Sequence, residues 1–127
     1  MIGIEEYRKT VSELLDEFPP EFFRGLTGGV IVSEATVTAD YSRKEDPMYI
    51  MGQYQFSAGI RQIVMYKGSF DRVYPQADAE DGRHILRGIL RHEFRHHLES
   101  LSGIHNSSSL EAEDERKRQE YISSPPD

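Results

Sequence analysis

The chain has 127 residues, 37% hydrophobic and 29% charged, which suits one domain with a modest core. Its net charge of -7 argues against nucleic acid or an anionic membrane surface as partner, since both call for a cationic face. It has no cysteine, which excludes disulfides and thiolate zinc sites, leaves only His, Asp and Glu for a metal, and fits a cytoplasmic location.

The opening residues, Met1 to Tyr7, lack the basic-then-apolar pattern of a signal peptide. No apolar run approaches the roughly 20 residues that cross a bilayer, so no membrane partner is expected. Ile4, Tyr7, Val11, Leu14, Leu15 and Phe18 recur at helical spacing and predict a first helix over 4–17. Pro19-Pro20 ends it, because proline cannot continue the hydrogen-bond ladder. Residues 21–26 predict a short helical turn, and Gly28-Gly29 breaks the pattern. The β-branched run from Val30 to Val37 predicts a strand, 40–47 a polar loop, and 48–54 a short strand or ordered turn. Gly59 to Tyr66 is the clearest strand, with Lys67-Gly68-Ser69 closing it as a turn.

Asp78 to Asp81 offers a cap and first-turn acids for a long helix over 79–102, and Gly103 suits its end. Leu86, Leu90, Phe94 and Leu101 form one apolar stripe; Ile85 and Ile89 lead into His92 and His96 along an adjoining one. Arg83, Arg87, Arg91 and Arg95 fall mostly on the solvent side, available to an acidic helix. After a polar loop, Ser108 and Glu111 resemble a capping box for a helix over 109–122, and 123–127 frays. The order predicts an α+β fold: a small mixed sheet packed on the long helix, with flanking helices, in a single domain over 1–127.

The long helix carries His92-Glu93-Phe94-Arg95-His96. Histidines four apart share a helix face, so both imidazoles can grip one zinc ion, with Glu93 beside them to act on a water held there. The bland alternative is two histidines hydrogen-bonded to carboxylates and a surface glutamate. A metzincin would continue with Gly and a third ligand at fixed spacing, where this chain has Glu99 and Ser102. The third ligand is therefore sought beyond Gly103, among His105, Glu111, Glu113 and Asp114. Leu110 should face the core, and residues three and four later share its face, which favours Glu113, with Asp114 next. His97 points about 100° away from His96 and reads as a packed residue. Tyr54, Tyr66 and Tyr121 are candidates to steady an oxyanion, each more simply read as a half-buried aromatic.

Leu14 to Phe22, Val30-Ile31-Val32, Gly52-Gln53-Tyr54, Ile63 to Gly68 and His92-Glu93-Phe94-Arg95-His96-His97 together resemble the small bacterial zincin-like metallopeptidases, the minimal zincins. The likeness spans about 5–101, and only the His-Glu-x-x-His-His string is sharp. It implies a compact zincin-like domain, His92 and His96 as zinc ligands and Glu93 as catalytic base. The family often has Gly and an acidic ligand soon after the second histidine; here the longer Leu98 to Gly103 delays the turn, which agrees with a ligand among 111–114. A zinc metallopeptidase acting on a peptide or protein is therefore expected, with the strand near 60–66 a candidate to align an extended substrate. The alternative is a metal-binding or protein-interaction module without proteolysis. The oligomeric state is open.

Overall fold

A computed structural model describes residues 1–103; the expected helix over 109–122, the 123–127 tail, and His105, Glu111, Glu113, Asp114 and Tyr121 lie outside the described residues. Helix α1 (Ile4–Leu15) buries Tyr7, Thr10, Val11 and Leu14, the spacing read from the sequence. It stops two residues short of the expected 17, because Asp16, Glu17 and Phe18 donate to carbonyls three residues back and tighten the last turn. A 3-10 turn over Pro20–Phe23 follows.

Among the described residues the sheet has three strands, β1 (Gly29–Ser33), β2 (Gly52–Ser57) and β3 (Ile60–Tyr66), in the order β1-β3-β2. β1 runs parallel to β3, and β2 antiparallel. The hairpin between β2 and β3 turns on Ala58 and Gly59, both at positive φ (52° and 79°), the backbone of a type I′ turn. Side chains alternate across the sheet. Ile63 and Met65 are fully buried on the face that meets the core, whereas Gln53, Gln55, Gln62 and Tyr66 on the other face bond to one another.

Three expectations change here. The strand expected to run from Val30 to Val37 ends at Ser33. Beyond it, the backbone of Val37 is taken up by Ser69, whose hydroxyl accepts from Val37 N (2.8 Å) and donates to Val37 O (3.0 Å). Residues 37–39 then pair with 48–50 rather than with the sheet. The turn expected at Lys67-Gly68-Ser69 is instead the start of helix α2 (Lys67–Val73). Gly68 is required there by a close crossing: a Cβ would stand 2.3 Å from Thr36 Oγ1 and 2.7 Å from two backbone carbonyl oxygens. Finally, the strand near 60–66 is central, so both its edges are already paired and it cannot take an added peptide strand.

Helix α3 (Ala79–Ser102) runs as expected. Asp78 and Asp81 cap each other's backbone in a reciprocal box, and Gly103 ends the helix at φ 68°. Leu86, Leu90 and Phe94 have no exposed surface. Phe94 is enclosed by the rings of Phe18, Phe23 and Phe22 at centroid distances of 4.8, 5.2 and 6.0 Å. The arginine row is not left for a third helix alone: Arg83 pairs with Glu13, and Arg87 grips Glu17 through two bonds of 2.9 and 3.0 Å, fastening α3 to α1. Among the described residues no helix is long and apolar enough to cross a membrane.

Phe94 holds α1, the 3-10 turn and α3 together. Phe94→Ala is expected to cost about 3–5 kcal/mol of folding stability, measured by urea unfolding. A loss under about 1 kcal/mol would mean that the ring cluster is not the anchor of this helix.

Candidate metal centre

Helical spacing brings His92 and His96 to the same side of α3, and their rings do meet. The two Nε2 atoms stand 3.0 Å apart, with ring planes at 83°. Two zinc–imidazole bonds of about 2.0–2.1 Å meeting at a tetrahedral angle separate their nitrogens by about 3.3 Å. The pair therefore needs only a slight opening to chelate one cation, and imidazole nitrogens are donors that zinc accepts.

Glu93 is 5% exposed, so it is not the surface glutamate of the bland alternative. Its side chain lies beneath the start of β2: a Cβ on Gly52 would stand 3.5 Å from Glu93 Cγ and 2.6 Å from Ile89 Cγ2. Only glycine lets the edge strand come this near the helix at that level. One end of β2 is thus set directly over the residue between the two histidines.

His97 has no exposed surface and faces away from the pair. Its Nε2 lies 2.8 Å from the Arg24 carbonyl, which can only accept, so Nε2 carries the proton. Its Nδ1 then accepts from the Tyr54 hydroxyl at 2.9 Å. His97 is a packed residue, as its direction on the helix suggested, and it ties β2 and the 3-10 turn to α3. Burial is the main cause that depresses its pKa below the ordinary 6.5; the Arg24 bond opposes this and Arg61 adds to it. Tyr54, whose phenol burial pushes up, is committed to His97 rather than aimed at an oxyanion. The Tyr66 hydroxyl bonds Gln53 on the sheet's other face, which removes it from the candidates as well.

Among the described residues no group of three or more His, Cys, Asp or Glu is assembled for a metal. His92 and His96 are two donors, and the four candidates for a third all lie outside the described residues. The sequence reading missed the role of Gly52. Its signal was a glycine just before an alternating run, where a strand interior rarely wants one.

A neutral His97 has a consequence for stability. Its folded pKa is lowered, so its contribution is complete above about pH 6.5 and is lost as pH falls through the window below it. The stability gap between wild type and His97→Gln, measured by urea unfolding of metal-free protein, is expected to shrink from pH 7.5 to pH 5. A gap constant over that range would contradict a neutral imidazole in the fold. Gly52→Val should drive β2 off α3 and cost about 1–3 kcal/mol; an unchanged unfolding midpoint would contradict the close approach.

No protein-family model matches the chain, and no curated protein matches it. Among solved structures it is similar to a conserved hypothetical protein from Thermo thermophilus, with a TM-score of 0.68 and 31% sequence identity. The match covers 80% of this chain and 98% of that one. With this identity over nearly the whole of its relative, the chain belongs to the same family as that conserved hypothetical protein.

Proposed function

We propose that the protein is a zinc-dependent peptidase. The observation that carries this reading is the 3.0 Å convergence of the His92 and His96 Nε2 atoms beside a buried glutamate on the same helix. Two imidazole nitrogens aimed at one point are the arrangement that a shared cation rewards. A carboxylate as buried as Glu93 is costly to keep, which suits a residue with a chemical task.

His92 and His96 would hold the zinc, with Glu113 as third ligand ahead of Asp114, Glu111 and His105. Zinc, when bound, supplies a Lewis acid that polarises a carbonyl and makes a water acidic near neutral pH. The chain's own residues do the rest. Glu93 accepts the proton of the attacking water and hands it to the departing amine, its carboxylate kept near the helix by the floor of β2. Among the described residues β2 is an edge strand, and the bond from Tyr66 N to Met51 O fixes the ladder's phase. Gly52, Tyr54 and Phe56 then turn their N–H and C=O groups outward, toward the side where an extended peptide would add. His97, through Tyr54, holds that strand at a set height above the histidines.

The test is zinc content, followed by peptide cleavage by wild type and Glu93→Gln. The expected result is about one zinc per chain in both, with cleavage lower by about 10²- to 10⁴-fold in the variant. Zinc without Glu93-dependent cleavage would leave a metal-binding or interaction module, and no zinc after reloading would remove the metal reading. Glu113→Ala should lose zinc more readily than Glu111→Ala in a chelator competition; the reverse order would reassign the ligand.

A further inference from the structure

A cavity of about 430 Å³ lies where the end of α2 meets the first turns of α3. Val73, Tyr74, Ala77 and Ile85 give it apolar walls, and Asp81 and His84 add polar groups to its lining. Nothing in the chemistry at His92 and His96 requires it. Its position is nonetheless tied to that chemistry. Ile85 precedes His92 by seven residues and His96 by eleven, so at 100° per residue all three lie within about 20° of one line along α3. At 1.5 Å per residue the cavity wall sits about 10–16 Å before the pair along the helix axis.

The direction of β2 relates this cavity to a peptide. Gly52 lies over Ile89 and Glu93, Tyr54 reaches His97, and Arg61, opposite Phe56, donates to Ser100 Oγ at 3.2 Å. β2 therefore runs in the same sense as α3. A peptide added antiparallel on its outer edge, the more stable pairing per residue, enters at the Phe56 end and leaves past Gly52 toward Ile85. Extended chain advances about 3.3 Å per residue, so the distance from the histidines to the cavity is about three to five residues.

We propose that this cavity is a specificity subsite that takes one large apolar side chain, Leu or Phe, about three to five residues on the C-terminal side of the scissile bond. The inference rests on the peptidase reading. A volume of this size has room for one such side chain, and apolar walls with a few polar groups are the lining that such a side chain and its backbone call for.

The experiment measures binding apart from turnover. Zinc-loaded Glu93→Gln is titrated with fluorescent short peptides, each carrying a single leucine at a different position of an otherwise small and polar sequence. Wild type is given the same peptides to locate any cleaved bond. The expected result is that leucine about three to five residues after the cleaved bond tightens binding by about tenfold over alanine, the usual gain from one apolar side chain in a pocket. Val73→Glu and Gln76→Glu, at two residues that line the cavity, added to the Glu93→Gln background, should bring the leucine peptide's affinity down to the alanine peptide's. Val73 is 40% exposed and Gln76 is exposed, so both variants should fold. Equal binding wherever the leucine sits, a preference untouched by both variants, or no binding at all overturns the subsite. Leucine-dependent binding that both variants abolish, with no cleavage by wild type, keeps the cavity as a peptide subsite and overturns the peptidase reading instead.

Discussion

One helix has to bury two sides and leave a third to the candidate site, and the rest of the molecule follows from that demand. Leu86, Leu90 and Phe94 of α3 go fully into the core. The adjoining line of Ile85 and Ile89 takes the sheet's edge strand, and His92 and His96 continue that line. The two faces meet at Glu93, which is why that carboxylate is buried rather than solvated. Closeness between β2 and α3 is obtained by removing a side chain at Gly52, the simplest way for a strand backbone to approach a helix.

What fixes the polar residues is as informative as what fixes the apolar ones. His97 follows His96 directly, yet the helix turns it away from its neighbour. It is held neutral between a carbonyl and a phenol. It serves the scaffold, while His96, one residue earlier, belongs to the candidate site. Ion pairs from Arg83 and Arg87 to α1 do the corresponding job on the far side of the helix. Those pairs are partly exposed and screened by solvent, so they orient α1 rather than hold it.

The long helix was legible in the sequence because its signals agreed: a reciprocal acid cap at Asp78, unbroken apolar periodicity, and a glycine at the end. The candidate pair His92 and His96 was legible for the same reason, since their meeting needs only helical geometry. Signals that depend on distant chain were not legible. Gly68 read as a turn because its real cause, the crossing of residues 34–36, comes from outside the local stretch. The hairpin was missed because Ala58-Gly59 is not a typical positive-φ pair, and β2 was consequently placed too early. β1 was drawn too long because Ser69 competes for the backbone at Val37. The partners of His97 and of the arginines lie 43 to 73 residues away in sequence, where pattern alone says nothing.

The proposed centre turns on two imidazole nitrogens, one turn apart on α3, that would share a cation. The decisive measurement is anomalous diffraction at the zinc edge from crystals grown with zinc. The prediction is a single strong peak within bonding distance, about 2.0–2.1 Å, of both His92 Nε2 and His96 Nε2. A peak elsewhere, or none, with the two rings bonded only to protein groups, would contradict it.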